Sequence, residues 1–256
     1  MALNFRQNEI LEIARSDGRV VVETLAKHFK VSLQTIRRDL SELSDAGHLD
    51  RVHGGAVIRK GVVNFDYEER RRMGADAKAS IGRACAMEIP DNSSIILNLG
   101  TTTEAVAREL CHHSNITVVT NNSNVANTLL ANESCEIMVA GGILRRSDGG
   151  LVGDLTADFM SQFKVDFAVI GVSALDDEGD LLDYDLAEVR VSRTIIRQAR
   201  KVFLVADSSK LTRSAPVRLA SLEEIDTIFI DAPLSDALTK RCAEWGTKVV
   251  VVPGAR

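Results

Sequence analysis

The sequence predicts an α/β protein in two parts, a small helical head with a β-hairpin and a larger doubly wound α/β body. Three observations carry that prediction. Helical apolar periods followed by a glycine-rich hairpin pattern fill the first sixty residues. The apolar period then fails between residues 61 and 75. From Asp76 onward, short Val- and Ile-rich runs alternate with stretches of helical length.

Composition excludes several classes. A chain of 256 residues has room for one small and one medium domain. With 45% hydrophobic and 26% charged residues it is not disordered as a whole. No apolar run approaches the roughly 18 residues of a spanning helix. Met1 to Glu12 is charged and lacks the apolar centre of a secretory signal, so a cytoplasmic protein is expected. Cys85, Cys111, Cys135 and Cys242 are far apart and without C-x-x-C spacing, which argues against a disulfide framework or a zinc ribbon. The histidines lack an H-E-x-x-H pattern, and no metal or cofactor is expected. Net charge is −5, but residues 1–60 hold ten Lys/Arg against eight Asp/Glu and are net +2, leaving −7 for the rest. A mildly basic head on an acidic body fits a protein whose head alone meets phosphate.

Within the head, Ile10, Ile13 and Ala14 lie on one face of a first helix, ended by Asp17-Gly18. Leu25, Ala26 and Phe29 form a second, from about Glu23. Ser32 is a good N-cap for a third, because its hydroxyl accepts from a free N–H of the next turn. Leu33, Ile36, Leu40 and Leu43 repeat at helical spacing and predict a core-facing stripe. Gly47 closes that helix. Leu49–Val52 and Ala56–Ile58 flank His53-Gly54-Gly55 and read as a two-stranded wing.

Opposite the stripe of the third helix lie Gln34, Thr35, Arg38, Ser41 and Glu42, with Arg37 on the flank. Gln pairs with adenine and Arg with guanine through the major-groove edge, and the early residues of a recognition helix reach bases. Ser32, Gln34, Thr35, Arg37 and Arg38 therefore form a candidate DNA face. Arg51 and His53 on the wing suit backbone contact, with Gly54-Gly55 allowing close approach. An exposed arginine pair on a small helical unit also fits a protein-interaction module.

Residues 61–75 read as a linker, with Glu68 to Arg72 a solvated charge run. The body, 76–256, has strand-like runs at Ile95–Leu99, Ile116–Val119, Ile137–Ala140, Phe167–Val172, Val202–Ala206, Ile225–Ile230 and Val249–Val252. Such runs are buried on both faces, as in a parallel sheet covered by helices.

Leu97 to Thr103 leaves a strand and enters a helix, and Gly100, Thr101, Thr102 and Thr103 offer N–H groups and hydroxyls to an anion. Thr is also a common cap. Thr120-Asn121, Gly141-Gly142 and Lys210 follow strands in the same way, and open α/β sheets bind ligands at strand carboxyl ends. Arg145, Arg146 and Asp148 are rim candidates. Asp183 and Asp185 suit polyol hydroxyls as acceptors. For Arg146 and Asp185 a solvated loop charge is the better reading. Glu188 at a helix start complements the dipole in the plainest reading.

Val20 to Ala26, Val31-Ser32-Leu33-Gln34-Thr35-Ile36-Arg37-Arg38-Asp39-Leu40 and Leu49 to Ala56 together resemble the winged helix-turn-helix signature of the DeoR-type repressor family. The body resembles the effector domain of that family, which is similar to sugar-phosphate isomerases. In the isomerases the segment matching Ile170 to Asp176 carries catalytic acids. Ile170 and Ser173 stand in those places here, while Lys210 and Glu188 are retained, which implies binding without turnover. Thr120–Leu129, Gly141–Gly150 and Asp158–Phe167 resemble members that answer glycerol 3-phosphate. Asn98 departs from the Asp that relatives commonly carry.

The resemblance thus implies a cytoplasmic DNA-binding repressor of a carbon-catabolic regulon. Its expected partners are double-stranded operator DNA and a phosphorylated polyol or sugar, first glycerol 3-phosphate. The expected effector set is Gly100, Thr101, Thr102, Thr103, Thr120, Asn121, Gly141, Gly142, Arg145, Asp148, Asp183, Glu188 and Lys210. A homo-oligomer, dimer or tetramer, is expected because tandem half-sites give small heads their affinity. The alternatives are an isomerase-like enzyme and a repressor answering another sugar phosphate.

Overall fold

The computed structural model describes residues 4–17, 19–46, 48–52, 54–58 and 67–253. The chain divides into two compact units, residues 1–61 and 62–256.

The head runs α1 (Phe5–Asp17), β1 (Arg19–Val21), α2 (Val22–Phe29), α3 (Leu33–Asp45), β2 (Leu49–Val52) and β3 (Gly55–Ile58). Its sheet has three antiparallel strands, ordered β1-β3-β2, rather than the two of the expected hairpin. The added strand is only three residues long and too short to show a period. Gly55 is required by this sheet, because a Cβ there would stand 1.9 Å from the Val20 carbonyl oxygen. Ile10, Ala14, Leu25, Ile36, Leu40, Leu43, Leu49 and Ala56 close one core. Leu33 does not join them. It is the first residue of α3, ahead of the turn that packs, and is 43% exposed. Asp39 is buried beside Ile36 and Leu40, and the Arg6 guanidinium of α1 donates to its carboxylate at 2.6 Å.

The body begins with α4 (Tyr67–Arg72) and α5 (Ala75–Met87). The linker expected over 61–75 is therefore corrected, because 67–72 is a helix of the second unit. No residue of α4 is buried, so it shows no apolar period, and polar contacts hold it. Then follow β4 (Ser94–Leu97), α6 (Thr101–Leu110), β5 (Ile116–Thr120), α7 (Ser123–Leu129) and β6 (Cys135–Val139). A short hairpin, β7 (Ile143–Arg145) and β8 (Gly150–Val152), leads to α8 (Asp154–Met160) and β9 (Val165–Ile170). The rest is β10 (Ala174–Leu175), β11 (Asp180–Asp183), α9 (Leu186–Gln198), β12 (Ala199–Val205), β13 (Val217–Ser221), β14 (Thr227–Ile230), α10 (Asp236–Trp245) and β15 (Lys248–Val251).

All seven apolar runs become strands of one seven-stranded sheet, ordered β15-β14-β12-β9-β4-β5-β6, with every neighbouring pair parallel. Side chains alternate between its two faces, as strand geometry requires. Ile96, Val119, Ala168, Ile170, Leu204 and Ile228 pack under α8, α9 and α10. Ile95, Leu97, Val118, Val169, Phe203 and Phe229 pack under α5, α6 and α7. Helices cover both faces of the sheet. The chain order reverses between β4 and β9, and in such sheets the crevice opens where the order reverses.

Candidate functional site

In the head, the Ser32 hydroxyl caps α3 by accepting from the Thr35 N–H at 3.1 Å, and the two hydroxyls lie 2.8 Å apart. Ser32 and Thr35 are thus tied to each other. Gln34 and Arg37 are exposed and their side chains have no partner among the described residues. Arg38 is also exposed and donates to Glu42 at 3.0 Å, one turn on. Such an exposed pair is worth about 0.3–0.5 kcal/mol and opens readily for a better acceptor. Gln7 of α1 holds the other Glu42 oxygen at 2.7 Å. From the wing, Arg51 donates to the Arg37 carbonyl at 3.1 Å, which fixes β2 against α3. His53 lies outside the described residues.

In the body, Gly100 (φ +134°) caps α6 after β4, and the residues Thr101 to Glu104 are all buried. The three threonines divide by role. The Thr103 hydroxyl donates to the carbonyls of Asn98 and Gly100, at 3.0 and 2.6 Å, and is structural. Thr101 donates weakly to the Arg70 carbonyl at 3.5 Å. Thr102 is buried and makes no hydrogen bond with its side chain among the described residues. Thr120 is fully used: it donates to the Leu97 carbonyl at 2.7 Å and accepts from the Asn122 N–H at 3.0 Å. Asn121 donates to the Leu151 carbonyl at 3.2 Å, and its own side-chain oxygen is buried without a partner. Asn98 is similar, with its amide on Ser192 at 2.7 Å and its oxygen unpartnered.

Gly141 and Gly142 are explained by packing. The Thr156 hydroxyl donates to the Gly141 carbonyl at 2.8 Å, and a Cβ on Gly142 (φ +143°) would stand 2.1 Å from that hydroxyl. Arg145 is not an open rim cation either. It donates to Asp148 at 2.6 Å, Asp185 at 2.8 Å and Glu188 at 2.6 Å. Burial works against its charge, but Asp148 and Glu188 together raise its pKa. Asp185, expected to be a solvated loop charge, caps α9 by accepting from the Ala187 N–H at 2.8 Å. Arg146 is exposed. Asp183 is buried, its pKa raised by desolvation against the pull of hydrogen bonds from the Tyr184 N–H and Ser173. Glu188 is pushed up to about 7, first by burial and then by the Asp183 charge. Beyond dipole complementation, it belongs to this buried acidic group.

A second group is cationic. Lys210 sits on a 3-10 turn (Ser208–Thr212) that Asp207 caps after β12. It is only 9% exposed, and its ammonium has no hydrogen bond or ion pair among the described residues. Burial, then the charges of Arg213, Lys78 and Arg70, push it down to about 7. Lys78 of α5 is 4% exposed and donates to the carbonyls of Arg70 and Met73, with Asp207 4.0 Å away. The Nε of Arg70 is buried without a partner. Arg213, Lys78 and Arg70 thus gather around Lys210 with Asp207 among them, and Arg70 and Lys210 have donors left over among the described residues. Asp207 itself is held below the usual carboxylate range, since Lys210 and Lys78 outweigh the effect of burial.

Sequence reasoning missed Lys78, Arg70, Arg213 and Asp207. Lys78 left one signal, because it stands on the stripe of Ile81, Cys85 and their neighbours, where a lysine is out of place. Arg70 left none. Ile170, by contrast, is wholly in the core and Ser173 hydrogen-bonds Asp183, so neither offers an acid. A groove of about 290 Å³ lined by Arg193, Arg197, Arg218 and Leu219 shares no residue with either group.

Comparison with known proteins decides the family. Residues 6–61 match the DeoR-like helix-turn-helix domain, and residues 74–232 match the DeoR C terminal sensor domain. The chain belongs to the DeoR family of transcriptional regulators. Among DeoR-family relatives, it is 46% identical over 228 residues to the glycerol-3-phosphate regulon repressor of Escherichia coli (strain K12), covering 89% of this chain and 90% of that one. It is 41% identical to the glycerol-3-phosphate regulon repressor of Haemophilus influenzae, covering 99% of both chains. Both relatives are named as repressors. Among solved structures, a ribose-5-phosphate isomerase is 19% identical with a TM-score of 0.40, covering 54% of each chain. Among the described residues, no helix of this DeoR-family chain is long and apolar enough to cross a membrane.

Proposed function

We propose that this DeoR-family regulator represses a carbon-catabolic regulon and is released from its operator by a phosphorylated polyol, first glycerol 3-phosphate. One observation carries the effector class: the ammonium of Lys210 is buried among three further cations, with only the attraction of Asp207 to offset them and no hydrogen bond or ion pair among the described residues. Leaving a buried charged donor unsatisfied is costly, and a dianion removes that cost. The phosphate belongs beside Lys210 and Thr102, at the carboxyl edge of the sheet near the strand-order reversal. Asp183 and Glu188 supply acceptors for polyol hydroxyls. The narrower choice of glycerol 3-phosphate is supported by the names of the relatives.

In the head, Gln34, Arg37 and Arg38 are the base-reading candidates, with Thr35 held in place by Ser32. Arg51 and His53 serve the backbone. The working unit is a cytoplasmic homo-oligomer, because two heads are needed to read two half-sites with useful affinity.

A thermal-shift panel tests this reading. A ligand at 100 times its Kd adds about 2.7 kcal/mol of stability. Glycerol 3-phosphate is expected to raise the melting temperature of the body, and glycerol to leave it unchanged. Stabilisation by a different sugar phosphate alone would keep the class and replace the effector. No stabilisation by any phosphorylated compound would remove the pocket.

A further inference from the structure

None of the residues of α4 is buried, and polar bonds tie it to the body. The Tyr67 hydroxyl donates to Glu104 at 2.9 Å and accepts from Asn124 at 3.0 Å. The Arg70 guanidinium reaches Asp148 at 3.4 Å, a long contact, and Asp148 is already bonded to Arg145 at 2.6 Å. The carbonyls of Arg70 and Met73 accept from the Lys78 ammonium. A six-residue helix without an apolar face has little stability of its own, so these contacts decide where it sits.

Two cationic donors in this neighbourhood have no hydrogen-bond acceptor among the described residues, the Nε of Arg70 and the ammonium of Lys210. Lys78 joins them, since it touches the Arg70 carbonyl and stands 4.0 Å from Asp207, the cap of the Lys210 turn. One phosphate group has acceptors enough for both.

We propose that Arg70 grips the phosphate of the effector together with Lys210, and that α4 is the segment through which occupancy reaches the head. The inference rests on the pocket reading above. Phosphate is a better acceptor for Arg70 than an Asp148 oxygen shared with Arg145 and 3.4 Å away. Binding therefore draws Arg70 from one partner to another and shifts or stiffens α4. Only residues 59–66 separate α4 from the last strand of the wing. In this proposal a change at α4 is the body-side start of the route to the head. No direct contact between ligand and head is needed, because a differential affinity for two placements of α4 suffices.

The test uses the full chain, with glycerol 3-phosphate, inorganic phosphate and glycerol as probes. Calorimetry gives affinity, and amide hydrogen exchange follows residues 67–72. In wild type, glycerol 3-phosphate is expected to slow exchange in α4 several-fold, and glycerol to do nothing. Arg70→Met is expected to lower affinity about 10- to 100-fold, the range for losing one charge-assisted hydrogen bond from a buried site. At saturating ligand, Arg70→Met should bind without protecting α4 and without releasing operator. Should Arg70→Met not fold, Arg70→Lys keeps a charge near Asp148, removes Nε and is read the same way. Binding that needs Lys210 but is unchanged by either substitution, with α4 exchange unaltered, would overturn the inference and leave the pocket standing. Failure of wild type to bind any phosphorylated probe would overturn both, before Arg70 is touched.

Discussion

The head and the body use charge in opposite ways. On the head, Gln34, Arg37 and Arg38 project from α3 into solvent, and the one ion pair among them, Arg38 with Glu42, is exposed. In the body, Arg145, Lys78, Lys210, Asp183 and Glu188 are largely withdrawn from water. A surface that meets a polyanion works at high dielectric and gains from every added cation, whereas a pocket for one small anion must hold its charges ready in a desolvated place. On the proposed reading, the same residue types carry specificity on one unit and sensing on the other.

Arg145→Ala is the strongest test of that contrast. It strands Asp148, Asp185 and Glu188 around an empty place, and breaking a partly buried network of this kind costs about 3 kcal/mol. Denaturant unfolding should show the loss in the body, while Arg38→Ala changes stability by under about 0.5 kcal/mol. Equal stability effects would erase the distinction.

Arg38→Ala should instead appear in DNA binding. It is expected to cost about 1–3 kcal/mol on the operator and to relax discrimination at one base pair. If operator and random DNA lose equally, Arg38 is a phosphate contact and the base-reading set shrinks to Gln34 and Arg37.

The smallest effect is a pH profile. With Lys210 pushed down to about 7, a dianion finds it charged below that pH and must recruit a proton above it. Effector affinity should then fall about tenfold per unit above pH 7. It should also weaken below about pH 6, where the phosphate loses its second charge. Because the folded pKa of Lys210 lies below its ordinary value, the unliganded fold is penalised below about pH 7 and relieved as pH rises. Operator affinity does not pass through Lys210 and should stay flat from pH 7 to 8.5. Calorimetry in buffers of different ionisation enthalpy reads the proton uptake directly, and its absence would place the phosphate away from Lys210.

The same contrast explains what the sequence disclosed. The face of α3 was legible because exposed polar residues opposite an apolar stripe obey the helical period. The seven strands were legible because double burial leaves unbroken apolar runs. What stayed hidden is set by tertiary placement. The strand order that reverses between β4 and β9 has no local signature. Nor does the use of Thr103 and Thr120 within the backbone, which removes two of the expected ligand hydroxyls. The charge run holding Arg70 looks like any solvated stretch, and only the buried Arg70 Nε and the bond from Lys78 to the Arg70 carbonyl show otherwise. Leu33 failed in the reverse direction, fitting the period but lying one turn too early to be covered.

The central claim is that Lys210 senses and the head only reads. Its most direct test is operator titration of Lys210→Ala with and without glycerol 3-phosphate. In wild type the effector should weaken operator binding some 5- to 150-fold, the usual range of a coupling free energy. In Lys210→Ala the operator affinity should match wild type without effector and should not change when effector is added. A variant that still releases operator as wild type does would contradict the account.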